Sequence, residues 1–146
     1  MRLSGQEARR RFAASPSAVL GTADADGRPH LVPVTFALAA SSESGDRVLI
    51  AIDDKPKRTT DLKRLRNIAD NPAVCLLADQ YDSDWSRLWW ARADGVAQVV
   101  IEAADLPGGL LDELRGRYPH YADNAPGGPF IVVTVQRWSG WSFADQ

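Results

Sequence analysis

Hydrophobic and polar residues alternate along most of this chain with the two-residue period of β-strands, and a few stretches have helical spacing instead. Strand-like runs cover residues 17–23, 30–39, 47–52, 73–80, 88–101 and 130–135, and the last of them continues through Trp141. Helical spacing covers residues 6–14 and 106–117, and a further helix ends at Asn71 before a proline. The pattern therefore predicts about six strands with helices between them.

Turn and cap residues refine this pattern. Ser4 and Glu7 have the spacing of a capping box at the start of the first helix. Pro33 falls inside a strand run, which favours a place at the edge of the sheet or at a bulge. Gly95 falls within the longest strand, where we expect a bend. Since hairpins rather than βαβ units connect the strands, the sequence predicts a mainly β (α+β) antiparallel barrel with peripheral helices.

Composition indicates an ordinary globular protein, which we expect to form a single domain over residues 1–146. Hydrophobic residues make up 45% and charged residues 25% of the chain. The net charge of −2 disfavours general nucleic-acid binding, and no nucleic-acid motif is present. Arg9, Arg10 and Arg11 interrupt the N-terminus before any signal peptide could form, and no apolar run has membrane length. The expected location is therefore the cytoplasm, with no membrane partner.

Few residues offer chemistry of their own. The one cysteine, Cys75, lies in a strand run and is interpreted as a small core residue. His30 and His120 have no cysteine or histidine at ligand spacing, so we expect no metal site. The glycine-rich dinucleotide fingerprint, the P-loop and the serine nucleophile elbow are all absent. No catalytic side chain is identified, and any catalysis is expected to belong to a bound cofactor.

The positive charge of the chain is concentrated in and just before the predicted helix that ends at Asn71. Six of the 17 cations lie between Lys55 and Arg66, with only one acid, Asp61, among them. A cluster of this kind attracts phosphates and carboxylates, although a solvated helix face has the same pattern. Leu62, Leu65, Ile68 and Ala69 form the apolar side of this helix; Lys57, Thr60, Arg64 and Asn67 cluster away from it. One interpretation of the basic helix is a phosphate clamp.

All five tryptophans follow residue 84. Ordinary core packing is one interpretation, but partly exposed tryptophans also mark interfaces and pockets for flat ligands. Trp89 and Trp90 are neighbours on a predicted strand and must point to opposite faces. At least one of them faces away from the core that the other joins, so the pattern predicts a homodimer interface.

Several segments together resemble the pyridoxamine 5′-phosphate oxidase-like split β-barrel proteins, and in particular their actinobacterial branch that uses the deazaflavin coenzyme F420. The matching segments are residues 27–36 (GRPHLVPVTF), 57–62 (KRTTDL), 64–68 (RLRNI), Asn71-Pro72 and 85–95 (WSRLWWARADG). They occur in the family's order and span most of the chain. The resemblance implies a split β-barrel of the flavin-reductase/FMN-binding type.

The resemblance also implies a homodimer with two equivalent cofactor sites at the subunit interface. Arg64 takes the position of the family's phosphate-binding lysine, with Arg66 and Asn67 close by. The backbone of Ile50, Ala51 and Ile52 is expected at the flat ring. Val34, Thr35 and Phe36 are expected near the ring from the adjacent strand. The basic segment is expected to contribute Lys55, Lys57 and Arg58. Trp89, Trp90 and Arg92 are expected to approach from the partner chain or from the rim of the site.

The expected function is that of a coenzyme F420-dependent oxidoreductase, with hydride transfer between the deazaflavin ring and an unidentified unsaturated small-molecule acceptor. The family's pyridoxamine phosphate oxidases hold substrate with a C-terminal segment that contains Arg and His, whereas this chain ends in RWSGWSFADQ. Pyridoxamine phosphate is therefore not the expected substrate. The alternatives are an FMN-dependent enzyme and a non-catalytic protein that binds flavin, deazaflavin or haem. Lys55, Lys57 and Arg58 exceed the charge that one phosphate needs, which favours the deazaflavin with its carboxylate-rich tail.

Overall fold

The computed structural model describes residues 1–41, 45–52 and 62–144. Within these residues the strands are β1 (Ala18–Ala23), β2 (Pro29–Val34), β3 (Ala37–Ser41), β4 (Gly45–Ala51), β5 (Ala73–Gln80), β6 (Trp89–Val100) and β7 (Phe130–Ser142). The helices are α1 (Gly5–Ala14), α2 (Lys63–Asp70), α3 (Leu110–Arg117) and α4 (Pro119–Asp123), with short 3₁₀ turns at Trp85–Arg87 and Ala103–Asp105.

All seven strands form one antiparallel sheet in the order β2-β1-β5-β6-β7-β4-β3. The sheet curls into a split barrel but does not close, because β2 and β3 are its two opposite edges. The predicted split β-barrel with peripheral helices is therefore confirmed, with one more strand than predicted.

The extra strand comes from a break in the run 30–39, which the hydrophobic pattern predicted as a single strand. Its first half pairs with β1 as far as Val34, and its second half pairs with β4 from Ala37 onwards. Thr35 and Phe36 carry the chain from one edge of the sheet to the other, and we call these two residues the edge crossover. Pro33 lies on edge strand β2, as predicted, where its missing N–H removes no bond from an inner ladder.

The bend predicted at Gly95 is confirmed as a register shift between Asp94 and Gly95 on β6. A Cβ atom at Gly95 would lie 2.3 Å from the carbonyl oxygen of Thr134 on β7. Only glycine allows the two strands to approach this closely.

The larger hydrophobic cluster fills the inside of the barrel, and α1 covers one side of it. Ser4 caps α1 by accepting a hydrogen bond from the N–H of Glu7 at 3.0 Å. Phe12 of α1 is fully buried, with its ring centroid 4.7 Å from that of Phe36 and 5.2 Å from that of Trp138. These aromatic contacts join the helix to the edge crossover and to β7.

A second cluster lies under α3 and α4, against β3, β4 and β7. The predicted helix 106–117 starts only at Leu110, because Gly109 at its N-cap adopts a φ of 86° that ends any regular helix on its N-terminal side. The stretch 118–128, which is part of none of the predicted strands or helices, contains α4, which has Pro119 in its first turn and buries Tyr121.

Helix α2 confirms the predicted basic helix from Lys63 to Asp70, while Lys57 and Thr60 of its predicted polar side lie outside the described residues. Its faces differ from the helical-wheel prediction at two positions. Asn67 is buried with Leu65 and Ile68, whereas Ala69 is exposed. The helical wheel could not show the burial of Asn67, because this burial depends on Thr22 of β1, which accepts a hydrogen bond from the Asn67 amide.

Candidate functional site

At the end of β4, backbone groups extend beyond the ladder that this strand forms with β3. Ile52 N–H donates to the carbonyl of Pro129 at 3.1 Å, on the β7 side. Because neighbouring residues of a strand point their backbone groups to opposite sides, the N–H and C=O of Ala51 point towards the β3 side. The pairing with β3 ends at Leu49 opposite Ala37, so Ala51 lies past it. Ile50 itself points into the core and is 1% exposed.

The edge crossover presents one polar side chain to solvent. Val34 and Phe36 are buried in the barrel cluster, and the Phe36 ring has no exposure. Thr35 between them is exposed. Of these three expected cofactor contacts, only Thr35 can therefore offer its side chain to a ligand in this arrangement.

Helix α2 carries two of the expected phosphate contacts. Arg64 is half-buried and Arg66 is exposed. Leu62 and Leu65 pack into the same large barrel cluster as Ile50 and Ile52. The helix itself lies against β1 and β6. The expected contacts Lys55, Lys57 and Arg58 lie outside the described residues.

The side chain of Asn67 is engaged inside the protein. Its Nδ2 donates to Thr22 Oγ1 of β1 at 3.0 Å, and both residues are buried. At the start of the same helix, Lys63 Nζ lies 3.7 Å from Asp24 Oδ2. A hydrogen bond from the Arg28 N–H lowers the pKa of Asp24 below its ordinary value, with a smaller contribution from Lys63. Both contacts hold α2 against the β1–β2 hairpin.

Trp89 and Trp90 lie on opposite faces of β6, as predicted. Trp89 Nε1 donates to Gln80 Oε1 at 3.2 Å, and the Arg11 guanidinium lies 5.7 Å from its ring centroid. It lines a cleft of about 520 Å³ at the end of α1. Trp90 lines a different cleft on the outer face of the sheet, of about 340 Å³, together with Leu77, Asp79, Tyr81 and Arg92.

Within one chain, the outer cleft and the start of α2 lie at opposite ends of β5. Lys63 contacts Asp24, which follows the end of β1 that lies next to the Ala73 end of β5. Trp90 pairs with Asp79, near the Gln80 end of β5. The strand from Ala73 to Gln80 has a rise of about 23 Å. A single chain therefore does not bring the cations of α2 together with the outer cleft.

The outer face of the sheet, formed by the outward residues of β1, β2, β5 and β6, carries exposed apolar side chains. Leu31 is 71%, Leu77 is 38% and Val96 is 39% exposed. Arg92 forms an ion pair with Asp94 at 3.1 Å, and its guanidinium lies 5.5 Å from the Trp90 ring centroid. An apolar surface with a central ion pair is typical of a face that another molecule covers.

Cys75 lies between these apolar residues and is half-buried on the outer face rather than a core residue. Burial raises the pKa of its thiol, and the nearby Asp94 raises it further. The thiol is thus protonated near neutral pH, which suits packing better than nucleophilic chemistry.

The described residues also limit what the site can hold. Among them, no group of three or more His, Cys, Asp and Glu side chains converges as a metal site would require. No helix in the described part of the chain is long and apolar enough to cross a membrane.

The model of one protein family matches residues 4–142, which is nearly the whole chain. The chain belongs to the pyridoxamine 5′-phosphate oxidase family. Membership agrees with the split barrel, its edge crossover and the basic helix between β4 and β5. No curated protein matches the sequence.

Solved structures with the same fold have varied descriptions. A FAD-binding protein from Mesorhizobium loti has a TM-score of 0.67 and 22% identity, over 96% of this chain and 93% of that one. The haem storage protein HutZ from Vibrio cholerae has a TM-score of 0.62 and 21% identity, over 94% and 91%. A putative 5-nitroimidazole antibiotic resistance protein from Bacteroides thetaiotaomicron has a TM-score of 0.69 and 15% identity, over 96% and 86%. At these identities the likeness shows the fold of the pyridoxamine 5′-phosphate oxidase family and no particular ligand.

Sequence reasoning missed three residues of the outer cleft, Leu77, Asp79 and Tyr81. The signal for Leu77 was present, since it shares the two-residue period of Cys75 and Asp79 on β5. Tyr81 follows the strand, and only the tertiary structure shows that it lies beside Trp90.

Proposed function

We propose that this member of the pyridoxamine 5′-phosphate oxidase family is a cytoplasmic, coenzyme F420-dependent oxidoreductase that acts as a homodimer. Hydride transfer takes place between the deazaflavin ring and an unsaturated small molecule. The observation that carries the proposal is the position of the Ala51 backbone past the β3 ladder, at the strand end from which the chain continues into the basic segment and α2.

The residues at this place suit a flat heterocycle with a phosphate. Ala51 offers one N–H and one C=O in the plane of the sheet, which match the donors and acceptors along the edge of such a ring. Thr35 offers a hydroxyl on the neighbouring crossover, and Arg64 offers a planar guanidinium that can bind phosphate through two hydrogen bonds. In this proposal Asn67 acts indirectly, by holding α2 through Thr22.

The charge of the basic segment favours the deazaflavin over FMN. Lys55, Lys57 and Arg58 precede α2 in the sequence and add to the charge of Arg64 and Arg66. FMN brings one phosphate, whereas coenzyme F420 adds carboxylates in its tail. The additional cations match this tail by ordinary charge attraction.

A second copy of the chain completes the site in this proposal. The exposed Leu31, Leu77 and Val96 supply the apolar area that a homodimer buries. Dimerisation through this outer face would bring Trp90 and Arg92 of one chain towards the α2 cations of the other. Trp90 would then cover the ring and exclude water, and Arg92 would face the cofactor or the acceptor.

When bound, the deazaflavin supplies the hydride chemistry. The chain's own groups bind and orient it: Arg64 at the phosphate, Ala51 at the ring edge, and the apolar face of Trp90 against solvent. No side chain is assigned as a proton donor. The catalytic contribution proposed for the protein is therefore orientation and a dry pocket.

The direct test is to titrate the purified protein with coenzyme F420, FMN and haem and to compare the dissociation constants. We expect coenzyme F420 to bind more tightly than FMN, and the difference to shrink as salt rises, because charge attraction at the tail is screened over about 8 Å at physiological salt. Co-purification of FMN that the deazaflavin does not displace would contradict this choice of cofactor. Tight binding of haem alone would favour a haem-binding protein.

Activity needs a separate measurement. Oxidation of reduced coenzyme F420 is followed by absorbance with a panel of unsaturated acceptors, and we expect turnover with at least one of them. Tight binding of the deazaflavin without turnover of any acceptor would instead indicate a carrier.

A further inference from the structure

The hydroxyl group of Tyr118 forms a hydrogen bond with the crossover that links the two edges of the sheet. The β2 ladder ends at Val34 and the β3 ladder begins at Ala37, so the N–H of Phe36 belongs to neither. A buried N–H without a partner is costly, and this one donates to the hydroxyl oxygen of Tyr118 at 3.1 Å. Tyr118 follows α3 directly and packs against the second hydrophobic cluster.

The Tyr118 hydroxyl uses its full hydrogen-bonding capacity. Besides accepting from Phe36, it accepts from Arg117 Nε at 3.1 Å and donates to the carbonyl of Pro16 at 3.1 Å. One donated and two accepted bonds are all that a phenolic hydroxyl can form. The hydroxyl therefore connects the edge crossover to the segment that follows α1.

Arg117 reinforces the same connection. Its Nη1 donates to the carbonyl of Ala13 at 2.6 Å, and its Nη2 donates to the carbonyl of Ser15. The guanidinium carbon lies 4.6 Å from the centroid of the Phe36 ring, and the centroid of the Phe12 ring lies 4.7 Å from that of Phe36. Phe36 is thus fixed by its N–H and by its ring.

We propose that Tyr118 is a positioning residue for the cofactor site, acting through the Phe36 N–H on the exposed Thr35; this inference rests on the proposed function. Only Thr35 and Phe36 join the two edge strands, so their placement sets how the edges approach each other. Thr35 directly precedes Phe36, whose N–H is bonded to Tyr118. Ala37, which starts β3, directly follows Phe36, and Ala51 lies past this end of the β3 ladder. Tyr118 does not itself touch the cofactor.

The test uses Tyr118→Phe, which keeps the ring and removes only the hydroxyl. Hydrogen exchange at the Phe36 amide should become faster by about tenfold, because its bond partner is lost. The dissociation constant for coenzyme F420 should rise by about threefold to tenfold, the loss expected for one neutral hydrogen bond. Leu110→Val is the matched control, since it lowers stability in the second cluster without removing any bond to the crossover.

The expected result is weaker cofactor binding in Tyr118→Phe and unchanged binding in Leu110→Val, although both melt at lower temperature. Unchanged affinity in Tyr118→Phe, or affinity losses that follow the melting temperature equally in both variants, would overturn the positioning role. If the unmodified protein binds neither coenzyme F420 nor FMN, the proposed function has failed. If the unmodified protein binds the cofactor and the two variants bind it equally well, only the positioning role has failed.

Discussion

The buried amide of Asn67 donates a hydrogen bond of 3.0 Å to the hydroxyl of Thr22, and this bond fastens α2 to β1. Asn67 is 1% and Thr22 is 4% exposed, so neither group can turn to water when the other is lost. Replacing Thr22→Val should leave the Asn67 amide unsatisfied and lower the free energy of unfolding by about 1–3 kcal/mol. Denaturant unfolding measures the change. The exposed Thr35→Val is the control, and an equal loss there would contradict the role of the buried bond.

Arg64→Ala should weaken binding of coenzyme F420 by roughly tenfold to a hundredfold, since a charge-assisted hydrogen bond contributes about 1.5–3 kcal/mol. Fluorescence titration of the cofactor measures the effect. Lys63→Ala is the neighbouring control, because Lys63 lies 3.7 Å from Asp24 and is 42% exposed. Equal small losses in both variants would indicate diffuse attraction by a basic surface. Collapse of the Arg64→Ala melt would show a structural role instead.

Leu77→Arg should turn the proposed homodimer into a monomer, because it places a charge in the middle of the apolar outer face. Light scattering at micromolar concentration gives the mass of the unmodified protein and of the variant. Ile101→Arg serves as the control, since Ile101 is 58% exposed but follows β6 at the end of the strand. A monomeric unmodified protein would refute both the dimer and the shared site.

Mixing two inactive variants tests whether each site contains residues of both subunits. Arg64→Ala and Arg92→Ala should each bind coenzyme F420 poorly as homodimers. After the two are unfolded and refolded together, half of the dimers are mixed and each mixed dimer holds one intact site, so about a quarter of all sites should recover. Isothermal titration counts them. If Arg64 and Arg92 act within one chain, mixing restores nothing.

Glu7 should make stability depend on pH in the acidic range. Hydrogen bonds from Arg10 and Arg11 lower the pKa of Glu7 from 4.5 to about 2 in the folded protein. A lowered pKa means that the folded state binds the proton less readily, so this contribution is complete above pH 4.5 and is lost as the pH falls towards 2. Melting temperatures of Glu7→Gln and the unmodified protein should therefore converge between these values. A constant difference across the range would show that the contacts do not depend on the charge of Glu7.

Local physical chemistry was enough to predict most elements of the fold from the sequence. Ser4 satisfies an N–H at the start of α1, and the two-residue period of residues 73–80 matches β5 residue for residue. Pro33 is confined to an edge because it lacks an N–H, and Gly95 marks the bend because no Cβ fits beside Thr134. Each of these effects depends on a residue and its immediate neighbours.

The tertiary structure alone decided the features that depend on distant partners. A continuous strand-like run from 30 to 39 does not show that its two halves pair with different strands, so the break at Thr35 and Phe36 was not predictable. Asn67 has a polar side chain, and only the position of Thr22 makes its burial favourable. The proposed ring contact has the same origin, because the backbone of Ala51 lies past the end of the β3 ladder and the side chain of Ala51 carries no sign of this. Pairing between segments far apart in sequence, rather than residue type, determines which backbone groups remain for a ligand.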